Sequence, residues 1–389
     1  MAAMKEAYIT GIGQSEVGVR LTRSPMGLTM DAIRQALDDA GLTMDQIDGV
    51  ATYPGRMATF LGFSPIGVDE VIETCGIKAR WHMGGGEIPA QLSAIAEAAN
   101  AVKTGHARHI ICFRTVYEAA AISRPEEFPP LRRETVDGGS QWTAPYFATS
   151  AACWVAQYAN RQMKRNGMTR EQLAQIALNA NRNALANPNA RAITKKPLTL
   201  DEYMAARPIS TPFCLYDCDR FTDCSTVLIV SAEDALDEVK NTPVRIAASA
   251  GAVHRYSWDQ PDYMASYATG PDLWAKTDYK PKDVNTVQFY DGFAFFPISW
   301  LEALGFCEVG EGHHFIDGGH RIARDGELPL NTAGGQLGAG RLHGFGFAHE
   351  AVAQLRKQAG ERQIPGDPKV AVATSGGGPL AAALLLARD

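Results

Sequence analysis

Strand-like and helix-like spacings of apolar residues alternate along this chain, and they do so twice in the same order. Residues 5–13 (KEAYITGIG) form a short β-rich run that closes on glycines. From Met26 to Ala40, the residues Leu28, Ala32, Ile33, Ala36 and Leu37 recur at helical spacing and predict an amphipathic helix. A second strand is predicted to start at Ile47-Asp48-Gly49-Val50. A glycine-rich turn at Gly84-Gly85-Gly86, an Ala-rich helix over 89–104 and an apolar strand at His109–Phe113 follow. The later chain repeats this succession. Residues 243–251 (PVRIAASAG) match the first run. They are followed by a passage ending at Val287-Gln288-Phe289, a turn at Gly334-Gly335, a helix over 345–358 and a strand at Val370–Ala373. Such alternation predicts an α/β protein with parallel sheets covered on both faces. The recurrence predicts two duplicated halves, residues 1–240 and 243–389, joined by a charged link at Glu238–Thr242.

One segment, from about 116 to 212, has no counterpart in the second half. It is predicted to insert loops and helices into the first half. One helix is expected over Ser150–Asn166, and another from Thr169 to about Asn187, stopped by Pro188. The Pro-rich, charged stretch Arg124–Arg133 has no core pattern and reads as a surface loop or lid. Trp142, Tyr146, Phe147, Trp154 and Tyr158 fit a bulky substrate pocket, a core or a dimer face equally well.

Composition narrows the class. At 389 residues with 46% hydrophobic and 21% charged content, the chain reads as globular, with enough length for a large core. A net charge of -6 offers no footprint for nucleic acid. No apolar run approaches bilayer length, and the first residues lack a signal-peptide pattern. Seven cysteines, an odd number, read as reduced thiols of a cytoplasmic protein. Cys214, Cys218 and Cys224 have a spacing that fits no standard zinc module, so no metal is expected.

Three blocks carry the chemistry: VQFYDGFAFFPISWLEALGFCEVGEG, LPLNTAGGQLGAGRLHGFGFAHEAVAQLR and VAVATSGGGPLAAALLLA. In this order they resemble the C-terminal half of the thiolase superfamily, in its sterol-carrier-protein and lipid-transfer-protein branch. The resemblance implies a five-layer α/β/α/β/α sandwich. Thiolase chemistry needs a cysteine nucleophile, an activating histidine, a second cysteine and an oxyanion-forming loop. All four positions differ here. The nucleophile loop reads Trp81-His82-Met83-Gly84-Gly85-Gly86-Glu87-Ile88-Pro89-Ala90, without cysteine. Thr374 stands at the second cysteine, Arg341 at the histidine, and the remaining loop is Tyr290-Asp291-Gly292-Phe293. Transfer through an acyl-cysteine is therefore not expected.

A site that binds a thioester and stabilises its enolate also suits retro-aldol cleavage. The branch contains steroid side-chain aldolases that use a tyrosine in the loop of Tyr290. The resemblance thus implies a carbon–carbon lyase acting on a β-hydroxyacyl-CoA, with CoA entering as part of the substrate and no other cofactor. Tyr290 would accept or relay the β-hydroxyl proton, its pKa lowered by Arg341 or a helix N-terminus. His343 would protonate the enolate carbon, with an ordinary pKa of about 6.5 suited to the task. Backbone amides of Gly377 and Gly378, with Arg341, would hold the enolate oxygen, Asp291 would orient its loop, and Gly85 and Gly86 would border bound CoA. A homodimer is implied, together with a small OB-fold and zinc-ribbon partner completing a heterotetramer. Two alternatives remain: an acyltransferase with a displaced nucleophile, Cys112 or Cys307, and a non-catalytic subunit that binds acyl-CoA or lipid.

Overall fold

The computed structural model describes residues 5–57, 60–85, 89–128, 136, 140–254 and 263–389. Nine strands carry the fold: β1 (Ala7–Gln14), β2 (Gly49–Thr52), β3 (Trp81–Gly84), β4 (His109–Tyr117), β5 (Asp223–Ala232), β6 (Val244–Val253), β7 (Thr286–Gln288), β8 (Val370–Gly376) and β9 (Leu380–Ala387). They hydrogen-bond in the order β3-β2-β4-β5-β1-β6-β9-β8-β7. Counted outward from the middle, the first half runs β1, β5, β4, β2, β3 and the second runs β6, β9, β8, β7. The duplication is thus written in the strand order. At the seam, β1 and β6 share only two register pairs, Tyr8 with Arg245 and Ile9 with Val244.

The sheets are mixed rather than parallel. Only β2–β3, β2–β4 and β7–β8 are parallel; the other neighbours run antiparallel. The reason is local for β8 and β9, which a three-residue turn joins, and such a short link can only make a hairpin.

Helix α1 (Pro25–Ala40) begins at an N-cap, where the Ser24 side chain accepts from the Gly27 N–H, and ends at Gly41 in left-handed geometry. Its buried face holds the predicted Leu28, Ala32, Ile33, Ala36 and Leu37. It lies directly on β1 because Gly11 and Gly13 have no side chain. A Cβ there would come within 2.3 Å of the Ala36 carbonyl oxygen and 2.2 Å of the Ala32 carbonyl oxygen. This outer layer packs against Val50, Ile111, Phe113 and Val227.

Helices α2 (Ser93–Lys103) and α5 (Phe345–Leu355) form the central layer. Ala94, Ile95, Ala98, Ala348, Ala351 and Val352 meet Ile110, Cys112 and Leu228 of one half-sheet, and Ala373, Leu384 and Leu386 of the other. The alternate residues Val372 and Leu385 face the opposite way, onto helix α4 (Phe295–Ala303) and the insertion. Three cores thus separate five layers, α/β/α/β/α.

Strand β4 runs on to Tyr117, so the insertion begins at Glu118 and ends before Asp223. Its main helices are Ala151–Asn166 and α3 (Arg170–Leu185), the latter opened by a capping box between Thr169 and Gln172. Residues 129–133 of the expected lid lie outside the described residues; Arg124, at its start, stacks over Tyr117 and Phe128. Among the described residues no helix is long and apolar enough to cross a membrane.

Candidate active site

The duplicated order brings the N-terminal ends of α2 and α5 together, and the loops following β3, β7 and β8 meet there. A hydrogen bond spans the halves: the Leu92 N–H at the entry to α2 donates to Ser375 Oγ of β8 at 3.1 Å. Beside it lies a cavity of about 150 Å³, lined in part by Tyr53, Gln91, Trp154, Tyr290, Phe296 and Gly378.

Tyr290 enters this cavity on a main chain fixed by Thr374, whose Oγ1 accepts the Tyr290 N–H at 2.9 Å. Its ring meets Phe296 and Phe347 edge-on, with centroids 5.6 and 6.2 Å apart. It folds back over Gly292, where a Cβ would lie 2.8 Å from the ring and 3.0 Å from the hydroxyl. The expected lowering of its pKa is not found. Burial pushes the phenol up and Asp219 adds to this, outweighing the opposing charge of Arg341. Tyr290 is therefore a neutral phenol, a proton donor in its resting form.

Arg341 is committed elsewhere. Its Nε and Nη2 donate to Asp219 at 2.9 and 2.6 Å, its Nη1 donates to Glu118 at 3.2 Å, and its plane covers Phe221 at 4.4 Å. Burial works against its charge, but Asp219 more than offsets this and raises its pKa. Arg341 is thus a clamp between carboxylates and not a free donor to an enolate oxygen.

His343 is buried, with a positive φ of 49°. Its backbone N–H donates to Gln336 Oε1 at 2.9 Å, and its ring meets the edge of Phe63 at 4.6 Å. Its Nε2 stands 3.5 Å from Glu118, and neither ring nitrogen has a hydrogen-bond partner. Burial, with the charges of Arg114 and Arg341, drives its pKa well below the ordinary value. The expected imidazolium acid is therefore replaced by a neutral, enclosed imidazole. It is also absent from the residues lining the cavity.

The glycine turn differs from expectation too. The Gly377 N–H is spent on the Leu380 carbonyl at 2.8 Å, closing the β8–β9 hairpin, so it cannot serve an oxyanion. Gly378 does border the cavity. Asp291 is fully buried. Its Oδ1 accepts the Gln336 N–H at 2.7 Å, its Oδ2 has no partner, and burial pushes its pKa up to about 7. Gly85 follows β3 but is not among the cavity's lining residues, which come instead from Ala90 and Gln91 of the same loop. Gly86 lies outside the described residues.

Neither proposed substitute nucleophile borders the cavity. Cys112 is fully buried in the central core and its thiol is pushed up by burial. Burial, reinforced by Glu302, pushes Cys307 up to about 12. Of the insertion's aromatics, Trp154 lines the cavity and Tyr158 is buried, while Trp142, Tyr146 and Phe147 are exposed.

Several site residues escaped the sequence reading: Tyr53, Gln91, Arg114, Glu118 and Asp219. Only the pairing of β2 with β4, which no local pattern reveals, brings the first of these near the cavity.

Fold and site define a thiolase-fold enzyme whose cavity lining, among the described residues, holds no cysteine. A family model described as thiolase C-terminal domain-like matches residues 250–387. The chain is 31% identical to the 17-hydroxy-3-oxo-4-pregnene-20-carboxyl-CoA lyase of Mycobacterium tuberculosis, over 90% of this chain and 92% of that one. It is 29% identical to the steroid side-chain-cleaving aldolase of Thermomonospora curvata, over 98% of each. It superposes on the solved Ltp2-ChsH2(DUF35) aldolase with a TM-score of 0.87 at 28% identity, covering 100% of this chain and 99% of that chain. The chain belongs to the thiolase superfamily, in its lipid-transfer-protein branch of carbon–carbon-cleaving aldolases.

Proposed function

We propose that this enzyme cleaves the Cα–Cβ bond of a β-hydroxyacyl-CoA, a steroid side-chain thioester, into a ketone and a short acyl-CoA. One observation carries the reading: a neutral tyrosine, anchored by Thr374, faces a cavity whose lining, among the described residues, holds no cysteine. The cleavage is redox-neutral. The β-hydroxyl proton leaves, the Cα–Cβ electron pair collapses into a thioester enolate, and the enolate carbon is protonated. Tyr290, held as a phenol, is suited to that last step and serves as the acid. This reverses the direction of proton flow expected from sequence, because burial and Asp219 both oppose its phenolate. CoA enters as part of the substrate.

The names of the two similar lyases support the substrate class. The two-component name of the similar solved aldolase supports a partner subunit. We extend the proposal to a homodimer that recruits a small OB-fold, zinc-ribbon protein. The test is mass spectrometry of products formed from a β-hydroxyacyl-CoA bearing a tertiary hydroxyl. A ketone and a shortened acyl-CoA are expected, and Tyr290→Phe should slow their formation by about 100-fold or more. Unaltered turnover in that variant would remove Tyr290 from the reaction.

A further inference from the structure

Retro-aldol cleavage needs a group that takes the β-hydroxyl proton, and every residue expected to share proton transfer with Tyr290 is unsuited to it. Arg341 is clamped and His343 is enclosed. Within the retro-aldol reading above, we propose that Tyr53 is this base and that Arg114 is the positioning cation that favours its phenolate.

The geometry starts from strand register. Thr52 of β2 pairs with Phe113 of β4, so the next residues, Tyr53 and Arg114, are neighbours at the ends of two parallel strands. Side chains two apart share a face. Tyr53 and Arg114 therefore share the face of Ala51 and Cys112, which pack into the central core. Tyr53 is 7% exposed and lines the same cavity as Tyr290. Arg114 is 1% exposed. Its Nη1 reaches the Thr115 carbonyl at 3.3 Å and its plane lies 4.7 Å over Phe63, while its Nε and Nη2 have no hydrogen-bond partner. A buried guanidinium with two unspent donors needs an anion nearby; Glu118, whose Oε2 has no hydrogen-bond partner, attracts it most, and Tyr53 and Tyr290 follow.

Burial lowers the pKa of Arg114 to about 10, so it remains charged at neutral pH, and it is coupled to Glu118, Tyr53 and Tyr290. The other ionisable groups gathered around it are the Arg341–Asp219 pair and neutral His343. The duplication gives independent support. Tyr53 lies one residue past β2 and Tyr290 two past β7, and β2 and β7 hold equivalent places in the two halves. Each half thus delivers one phenol to the seam.

The step balances. The Tyr53 phenolate takes the β-hydroxyl proton, the Cα–Cβ bond breaks as the ketone C=O forms, and the Tyr290 phenol protonates the enolate carbon. Solvent then returns a proton to Tyr290 and removes one from Tyr53.

Two readouts separate these roles. In D₂O at raised pH, where a fraction of Tyr290 is ionised, exchange of the α-hydrogens of acetyl-CoA or propionyl-CoA requires only the Tyr290 phenolate, the conjugate base of the group that protonates the enolate. Tyr53→Phe should lower cleavage by about 100-fold or more yet retain exchange, whereas Tyr290→Phe should lose exchange. Retention of cleavage by Tyr53→Phe, or loss of both reactions, overturns the assignment of Tyr53. Exchange that survives in Tyr290→Phe sinks the Tyr290 reading alone. Arg114→Gln should move the rising limb of kcat/KM upward by about one pH unit or more. Arg114→Lys, which keeps the charge without the planar fork, should move it less and serves if the Gln variant does not fold. A limb that stays put in both variants overturns the role of Arg114.

Discussion

The Thr374 hydroxyl accepts the Tyr290 backbone N–H at 2.9 Å, so a residue of β8 fixes the tyrosine of the neighbouring loop. Thr374→Val keeps the shape and removes the acceptor. It should lower kcat by about tenfold, through displacement of Tyr290. It should also cost about 1–3 kcal/mol of stability, because the N–H is left unpaired in the interior. Steady-state kinetics beside denaturant melts would check both; full activity would show that the anchor is dispensable.

Gly292 leaves room for the Tyr290 ring. Gly292→Ala places a methyl 2.8 Å from that ring, which must swing aside. Activity should fall about as far as in Tyr290→Phe, with the fold retained by circular dichroism. A near-normal kcat would mean that the ring relocates without consequence.

The Arg341–Asp219–Glu118 cluster is structural in this geometry. Asp219→Ala removes two of the three carboxylate bonds of Arg341, leaving it Glu118 and the face of Phe221, and should destabilise the protein by about 3 kcal/mol. Replacing Arg341 and Asp219 with methionine, together with Glu118→Gln so that the carboxylate paired with Arg341 is not left charged and alone, should recover much of that loss. A triple variant no more stable than Asp219→Ala would contradict the pairing.

Two groups, the buried Asp291 and the half-buried His349, should tilt the pH dependence of stability in opposite directions. Asp291 has a folded pKa of about 7, above its unfolded value, so the native state holds the extra proton and stability falls as pH rises from about 4 to 7. His349 has a folded pKa of about 3, depressed by burial and by Arg362, so stability falls as pH drops from about 6.5 to 3. Asp291→Asn should flatten the first slope and His349→Phe the second. Melts across pH 3 to 8 would resolve them, and slopes unchanged in both variants would refute the assignment.

Alkylation offers a chemical check. Iodoacetamide under native conditions should leave cleavage intact, since neither Cys112 nor Cys307 borders the cavity and both thiols are held protonated. Inactivation that substrate prevents would restore a cysteine to the mechanism.

Much of the fold was legible because local periodicity carried it. The apolar face of α1, the cap at Thr169 and the strand at Val370 are readable from spacing alone. Strand direction was not, because the alternation of helices and strands does not show that β8 turns straight back into β9. Motif frame located Tyr290, but proton affinity depends on neighbours that are distant in sequence. Asp219 raises the tyrosine, and Arg114 joins burial in keeping His343 neutral. Tyr53 carries no motif; its place follows from the register of β2 on β4.

The short seam between β1 and β6 has a consequence for how this enzyme can change. Two similar folds meet there with few backbone pairs, and the working surface lies where they face each other, bridged by contacts such as Leu92 with Ser375. The chain is organised like a heterodimer whose subunits share one backbone. A substitution near Gln91 is judged against the state of Thr374 and Tyr290 in the other half, so the two repeats are constrained to change together.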